Sequence, residues 1–446
     1  MPPVLTPSRP GGGEARVRTG RLLPPRGGGW EGGWPLRLSV ARLGHLGDGL
    51  AEGPEGPVFV PGALPGEVVE GGVTGDRMPA PKIVLPSALR VKAPCPHYRA
   101  CGGCSLMHAR EDFVADWKAG VVRAALAAQG LEAPLRPVAT SQPRSRRRAT
   151  FHGRRTRAGA IVGFHGRASQ ALVAVPGCLL VTPALLATLP ALEALTAAGA
   201  SRSGELALTV TETEGGADVA ASGGKPPDTA LWQTLPALAD RFGLARLTWN
   251  GETLALRAPP QVRFGPARVT LPPGAFLQAT ADGEAALLSA VSETVSGARR
   301  IVDLFAGAGS FALPLARTAE VHAVEGEAAM TAALEQGWRE AAGLKRVTAE
   351  ARDLFRRPLL PDELARFDAA VIDPPRAGAE AQIAELARSG IARIAHVSCN
   401  PVTFARDARR LVAAGYRLDF VQVVDQFRWS PHIELAAAFV RDHMAR

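Results

Sequence analysis

The five cysteines of this chain divide into a cluster and a single residue. Cys95, Cys101 and Cys104 lie in APCPHYRACGGCS, and Cys178 follows much later in VPGCLL. Four thiolates can hold either a [4Fe–4S] cluster or a tetrahedral zinc ion. The spacing predicts a metal cage at these four cysteines but does not choose between the two.

The fifth cysteine, Cys399, ends a predicted strand in IAHVSCNP. A buried structural thiol is the plain alternative, but this position and the Asn-Pro turn after it favour a nucleophile. A thiolate that adds to C6 of a pyrimidine makes C5 reactive toward a methyl donor. The C5 proton must then leave, and Glu434 in SPHIELAAAF is the predicted base. His432, on the same strand face, is a weaker candidate for a supporting role.

Acidic residues recur at the ends of four successive predicted strands. The first strand runs into DLFAGAGSFALPLA, where Gly307 and Gly309 let backbone approach a ligand at the start of a helix. A carboxylate at the end of the second strand can hold ribose hydroxyls. Four acids facing one crevice favour S-adenosylmethionine over a dinucleotide. They are Asp303, Glu325, Asp353 and Asp373.

The elements that carry these residues alternate between strand and helix from about Leu271 onward. This pattern predicts an α/β, Rossmann-like, doubly wound and mainly parallel sheet over residues 271–446. The last two strands, ending in HIELAAAFV, have no helix between them. We therefore expect an antiparallel hairpin at the edge of the sheet.

The preceding sequence divides into three segments. Residues 1–34 are rich in Gly, Pro and Arg and predict a disordered basic arm, either a solvated tail or a contact for RNA. Residues 35–91 show short alternating runs broken by glycine, which predict a small antiparallel barrel. Residues 92–270 contain the cysteine cage, a helix near Glu111 to Gln129 and several strand-like runs. They predict an irregular, mainly β central domain.

Charge and composition indicate a globular protein that binds a polyanion. The net charge is +9, and PRSRRRATFHGRRTR concentrates arginine as phosphate neutralisation requires, although half of these side chains could have structural roles. No apolar run is long enough to span a membrane, and the amino terminus lacks the apolar stretch of a secretory signal. Free thiols favour the cytoplasm. RNA is the expected partner, and no obligate protein partner is inferred.

Several motifs together resemble the RNA uridine-5 methyltransferase family. They are DLFAGAGSFALPLA, VHAVEG, VIDPPRAG, HVSCNPVTFARD, PHIELAAAF and PGAFLQAT. Within residues 35–91, VFVPGALPGEVV resembles the TRAM domain, an oligonucleotide-binding barrel of OB-fold type; an ordinary small barrel is the alternative. The cage resembles the iron–sulfur branch of the family, which methylates 23S ribosomal RNA. The transfer-RNA branch generally lacks that cage.

The resemblance implies S-adenosylmethionine as methyl donor, a [4Fe–4S] cluster on the cage, Cys399 as nucleophile and Glu434 as base. Asp373 would also reach the target uracil. Thr280, Ser310 and Asp353 stand where the family commonly has Asn, which weakens individual cofactor contacts but not the nucleophile. The implied cofactor residues are Gln278, Phe305, Gly307, Ser310, Glu325, Asp353 and Asp373.

Two rival functions stay open. DPPR distantly resembles the acidic-Pro-Pro motif of amino-group methyltransferases, which need no thiol. A non-catalytic RNA-binding assembly factor could keep the same fold.

Overall fold

A computed structural model describes residues 35–441 of the chain. The predicted basic arm, residues 1–34, lies outside the described residues. Across the described range, no helix combines the length and apolarity needed to cross a membrane.

The first part of the structure is a five-stranded antiparallel sheet with strand order β3-β2-β1-β4-β5. Burial alternates along its first and third strands, and its small core includes Val40, Val60, Val69 and Met78. The predicted short strands are therefore present; their assignment to a TRAM domain of OB-fold type stays a prediction. The strands are β1 (Leu36–Leu43), β2 (Gly49–Gly53), β3 (Gly56–Val60), β4 (Val68–Gly71) and β5 (Lys82–Leu85).

The central part contains a seven-stranded sheet with order β13-β12-β11-β10-β7-β8-β9, and helices α3 and α4 pack beside it. Its elements are α1 (Glu111–Ala127), β6 (Ala139–Thr140), β7 (Arg148–Thr156), β8 (Gly159–His165), β9 (Leu172–Ala174), α2 (Pro183–Ala187), α3 (Leu189–Gly199), β10 (Glu205–Thr213), β11 (Gly216–Ser222), α4 (Thr229–Arg241), β12 (Arg246–Trp249) and β13 (Glu252–Leu256).

The central domain is built on a sheet, as expected, but it contains more helix than the sequence predicted, because helices α2, α3 and α4 accompany the strands. Their starts carry ordinary helix signals: the Thr182 and Asp228 side chains accept backbone N–H groups as N-caps, and Pro183 occupies the first turn of α2. Leucine and alanine then supply the buried faces of α3 and α4.

The last part is an eight-stranded sheet with order β18-β17-β16-β19-β20-β22-β21-β6. Its elements are β14 (Gln261–Phe264), β15 (Ala267–Thr270), α5 (Ala281–Thr294), β16 (Arg300–Leu304), α6 (Ala312–Leu315), β17 (Glu320–Glu325), α7 (Ala328–Glu340), β18 (Val347–Ala351), α8 (Pro361–Leu364), β19 (Ala369–Ile372), α9 (Glu380–Arg388), β20 (Arg393–Ser398), α10 (Pro401–Ala413), β21 (Arg417–Asp425) and β22 (Glu434–Val440).

This sheet is doubly wound, as predicted. Strands β18, β17, β16, β19 and β20 are parallel, and separate apolar clusters cover the two faces. Strands β21 and β22 form the predicted antiparallel hairpin. The hairpin does not end the sheet, however, because β6 pairs in parallel with β21 through Val424–Ala139 and Asp425–Thr140. The edge is thus made by a segment from a distant part of the sequence.

Two segments that precede residue 271 also pack into this last part. Val122 and Leu126 of α1 lie in the same apolar cluster as Ile394 and Phe404. Hairpin β14–β15 contributes Val262 to the cluster on the other face. Helix α1 therefore belongs to the core of the last part, whereas the seven-stranded sheet has a separate core of its own.

Candidate active site

One cavity of about 750 Å³ opens at the carboxyl ends of the parallel strands. This volume lies within the range of sites that enclose a small molecule. With the exception of Asp303, the cavity collects every catalytic and cofactor residue that the sequence predicts, together with His432. Its lining includes Gln278, Phe305, Gly307, Ser310, Glu325, Asp353, Asp373, Cys399, His432 and Glu434.

The glycine loop after β16 is fixed by a carboxylate from the neighbouring strand. Glu325, the last residue of β17, accepts the N–H of Gly307 on Oε2 and that of Glu327 on Oε1, both at 3.0 Å. Gly309 has φ +99°, and a Cβ there would lie 2.8 Å from Leu313 Cδ1. Phe305 has φ +63°, a conformation that non-glycine residues rarely adopt outside functional sites. The loop is thus preorganised around the cavity.

Asp353 lies in the loop after β18, where its Oδ1 accepts the Phe355 N–H at 2.9 Å. The Phe355 ring in turn lies 5.3 Å from that of Phe305, centroid to centroid, on the cavity wall. Asp303 does not share this wall, so the expectation of four acids in one crevice is wrong. It is the fourth of five residues in β16 and fully buried, and burial raises its pKa well above the usual range.

Three polar side chains from separate segments form a hydrogen-bonded chain that reaches the cavity wall at Gln278 and Asp373. Gln426 Nε2 donates to Gln278 Oε1 at 2.6 Å, and Gln278 Nε2 donates to Asp373 Oδ2 at 3.4 Å. Burial raises the pKa of Asp373 to about 7. Gln426 was not predicted from the sequence, since a glutamine in VVDQF has no distinguishing pattern.

Cys399 follows β20, and the next residue, Asn400, caps α10 by accepting the Val402 N–H at 3.0 Å. Burial, and then the carboxylates of Glu434 and Asp373, raise the pKa of Cys399 to about 11, while the Arg376 guanidinium opposes the shift. The resting thiol is therefore neutral at pH 7. Arg376, a part of DPPR not predicted as a site residue, donates from Nη2 to His432 Nδ1 at 3.3 Å.

Glu434 is the first residue of β22 and is 6% exposed. Burial and the nearby Asp373 raise its pKa well above the usual range. A carboxylate with a raised pKa binds a proton more strongly than a solvated one, which is the property that a general base needs.

The four cage cysteines line a second, small cavity between the segment 95–104 and the loop at Cys178. Burial, and then the neighbouring thiols, raise the pKa of Cys104 to about 12, so the free thiolates disfavour one another. Backbone N–H groups of Gly103 and Leu180 lie 3.4 Å from the sulfurs of Cys101 and Cys178, as at ligating thiolates.

The spacing of these sulfurs bears on the kind of metal. Tetrahedral zinc with bonds of about 2.3 Å brings its sulfurs to about 3.8 Å of one another. Within residues 35–441, His152, His165 and Glu205 are the one set of three metal-binding side chains whose ligand atoms lie within 4.8 Å of one another. No three of the four cage sulfurs therefore lie within 4.8 Å of one another.

The arginine stretch divides between structural and exposed side chains. Arg147 pairs with Glu284 at 2.6 Å, and Arg148 donates to the Gly274 carbonyl at 3.0 Å. Arg155 and Arg157 are exposed. The stretch is therefore only in part a surface patch.

Comparison with known proteins agrees with this architecture. Residues 269–441 match the family model described as tRNA (Uracil-5-)-methyltransferase. An uncharacterized RNA methyltransferase of Caulobacter vibrioides is 44% identical over 414 residues, 91% of this chain and 99% of that protein. The 23S rRNA (uracil(1939)-C(5))-methyltransferase of Chromohalobacter salexigens is 34% identical over 430 residues, 91% of this chain and 89% of that protein.

Among solved structures, the chain is similar to the tRNA (uracil-54, C5)-methyltransferase of Pyrococcus abyssi in complex with S-adenosyl-L-homocysteine. The TM-score is 0.69 at 22% identity, covering 91% of this chain and all of that one. This likeness establishes a shared fold over nearly the whole described chain. With relatives above 30% identity along nine-tenths of its length, the chain belongs to the family of S-adenosylmethionine-dependent RNA (uracil-5-)-methyltransferases.

Proposed function

We propose that this protein methylates C5 of a uridine in 23S ribosomal RNA through a covalent adduct between Cys399 and C6. The observation that carries the proposal is the cavity in which Cys399, Glu434 and Asp373 meet the glycine loop. Nucleophile, base and cofactor residues come from separate strands and face one space, as a reaction on a single base requires.

The half of the cavity around β16, β17 and β18 would bind the cofactor. Glu325, already oriented by two backbone N–H groups, would bind the ribose hydroxyls, and Asp353 and Phe305 would contact the adenine. Gly307, Ser310 and Gln278 would complete the site. S-adenosylmethionine supplies the sulfonium methyl group that C5 accepts.

The thiol of Cys399 begins the reaction on the base. Its sulfur loses a proton to solvent and bonds to C6, and the C5–C6 electron pair moves toward C5 and O4. With a pKa of about 11, few thiolates exist at pH 7. The Arg376 charge and a uracil hydrogen-bonded to Asp373 would favour the attack.

Glu434 completes the reaction after methyl transfer. Its carboxylate takes the proton from C5, the electron pair re-forms the C5–C6 double bond, and the Cys399 sulfur leaves as thiolate and regains a proton. The same burial that raises the pKa of Glu434 keeps water from hydrolysing or reprotonating the adduct.

The target uridine must leave its stack to reach this cavity. The five-stranded sheet, as a TRAM domain, and the exposed arginines of the central part would bind RNA phosphates and loop bases. The preference for 23S RNA rests on the relative from Chromohalobacter salexigens and on the cage; transfer RNA is less favoured.

The four cage thiols would hold a [4Fe–4S] cluster with a structural role. Cys95, Cys101, Cys104 and Cys178 supply four ligands in a closed, apolar pocket. Methyl transfer from a sulfonium needs no electron, so the chemistry gives the cluster no redox task.

Cys399→Ala tests the proposal. With 23S RNA and cofactor carrying a labelled methyl group, wild-type protein should form 5-methyluridine and the variant should form none while retaining RNA affinity. Undiminished methylation by Cys399→Ala, or a label on an exocyclic amino group, would indicate an amino-group methyltransferase. RNA binding by wild-type protein without methyl transfer would indicate an assembly factor.

A further inference from the structure

The loop Gln426–Ile433 joins β21 to β22 and delivers Glu434 to the cavity. Phe427, His432 and Ile433 line the cavity themselves. Glu434 itself pairs with Val424 of β21, so its backbone is held on the strand side. On the other side it follows eight residues without regular structure, and the contacts that hold this loop therefore contribute to where the carboxylate lies.

Lys118 of α1 contacts both ends of the loop. Its Nζ donates to Asp425 Oδ1 at 2.5 Å, to the His432 carbonyl at 2.8 Å and to the Phe427 carbonyl at 3.3 Å. An ammonium group has three hydrogens, and all three have acceptors here. Lys118 thus holds Asp425, the residue before the loop, close to His432, which lies near the end of the loop.

The position of Lys118 on its helix is unusual for a charged residue. It lies on the buried face of α1 with Val114, Val122 and Leu126, at successive spacings of four, and is fully buried. An apolar side chain would pack α1 against the sheet equally well, since buried ion pairs seldom add stability over an apolar pair. An apolar side chain could not, however, donate hydrogen bonds to the carbonyls of Phe427 and His432.

The middle of the loop is held from another direction. The Trp429 carbonyl accepts the N–H groups of Ser105 and Leu106 at 2.8 and 2.9 Å, and Trp429 itself has φ +61°. Ser105 directly follows the cage residue Cys104. Arg428 donates to the Ser141 carbonyl at 2.8 Å.

We propose that Lys118 is a positioning residue for Glu434: it closes the loop Gln426–Ile433 so that the carboxylate meets the C5 proton. The segment Ser105–Leu106 holds the middle of the same loop. This inference rests on the proposed role of Glu434 and adds a residue 316 positions away in sequence that the reaction needs without touching substrate.

The test is the double variant Lys118→Met/Asp425→Leu. Lys118→Met alone leaves a buried carboxylate without its partner and can fail to fold, whereas the double variant removes both charges. We expect kcat to fall about 10- to 100-fold, as for a displaced general base, with KM for RNA nearly unchanged. Because proton removal then limits the rate, methylated covalent protein–RNA adduct should accumulate.

The control is Val122→Ala, which weakens the same face of α1 one turn away without touching the loop. It should lower thermal stability and give no adduct. A folded double variant with wild-type kcat and no adduct would overturn the inference, and so would an equal adduct level in Val122→Ala.

Failure of the proposed function is recognised separately. If Glu434→Gln releases methylated RNA normally, the role of Glu434 is wrong whatever Lys118 does. Hydrogen exchange at the amides of Phe427–Ile433 then decides on the loop: faster exchange in the double variant than in Val122→Ala supports closure by Lys118, and equal exchange refutes it.

Discussion

Gln278 donates a hydrogen bond from Nε2 to Asp373 Oδ2 at 3.4 Å, across 95 positions of sequence. The bond joins the segment before α5 to the end of β19, and it is a long one for a carboxylate. Asp373 is therefore buried with weak compensation, which explains why its pKa rises to about 7. A carboxyl group that is buried with so few hydrogen bonds is suited to form one with a bound ligand.

Asp373→Asn should stabilise the protein at pH 8 and impair catalysis. An unfolded aspartate titrates near pH 4, so between about pH 4 and 7 the native state binds the extra proton and its free energy of unfolding falls as pH rises. The asparagine side chain does not ionise, so the variant keeps the free energy of unfolding that the wild type loses. We expect a melting temperature at least about 2 °C above wild type at pH 8, shrinking toward pH 4. Calorimetry at both pH values checks this, and an equal difference at each would contradict it.

Glu434→Gln should separate methylation from release. The variant should methylate one uridine per active site and then hold the RNA covalently, with turnover reduced by about 10²- to 10⁴-fold. Denaturing electrophoresis and mass measurement of the adduct, RNA plus one methyl, provide the readout. Free methylated RNA produced at the wild-type rate would remove Glu434 from the mechanism.

Arg376→Leu should make the thiol of Cys399 harder to ionise. The guanidinium favours the thiolate, so its removal moves the pKa of Cys399 above the present value of about 11. Alkylation of Cys399 by iodoacetamide, followed by peptide mass mapping, should be slower in the variant at every pH up to that value. Arg356→Leu, at an 88% exposed side chain, is the control and should alkylate like wild type. Equal rates in the two variants would exclude the influence of Arg376.

Protein purified without oxygen should contain about four iron atoms per chain, as four thiolates bind a [4Fe–4S] cluster. Cys104→Ser should lose most of this iron, because a hydroxyl is a poor replacement for a thiolate. Metal analysis alongside absorbance spectroscopy checks both statements. Stoichiometric zinc in the anaerobic protein would refute the cluster.

Exposed arginines should contribute to RNA affinity in a salt-dependent way. Arg155→Ala/Arg157→Ala should reduce the slope of log K against log salt by about 0.7 for each phosphate of single-stranded RNA that the variant no longer neutralises. Arg147→Ala, which breaks the pair with Glu284, should lower thermal stability and leave the slope unchanged. Fluorescence anisotropy over a salt series distinguishes them; a larger slope change for Arg147→Ala would reverse the assignment.

The predictable part of the site follows from a rule of topology. Strands that alternate with helices bring their carboxyl ends to one edge, so Glu325, Asp353, Asp373 and Cys399 could be grouped from sequence. Asp303 does not follow this rule. It lies one position before the end of β16, where its side chain is buried in the core.

Long-range pairs could not be predicted in the same way. Lys118 and Asp425 are 307 positions apart, and no local pattern relates them. The sequence of α1 does contain one indication of the pair. Lys118 has the spacing of the buried valines, and a buried lysine is unfavourable unless a partner compensates its charge. Asp425 can be identified as that partner only from the packing of α1 against the sheet.

Strand β6 has a consequence for how the molecule can be divided. It supplies only Ala139 and Thr140, yet it covers the carboxyl end of β21, which would otherwise offer unpaired amides to other chains. A fragment cut at residue 271 would lose this shield along with α1, and should self-associate through the bared flank. The last part therefore depends on the preceding sequence to keep this edge of its sheet paired.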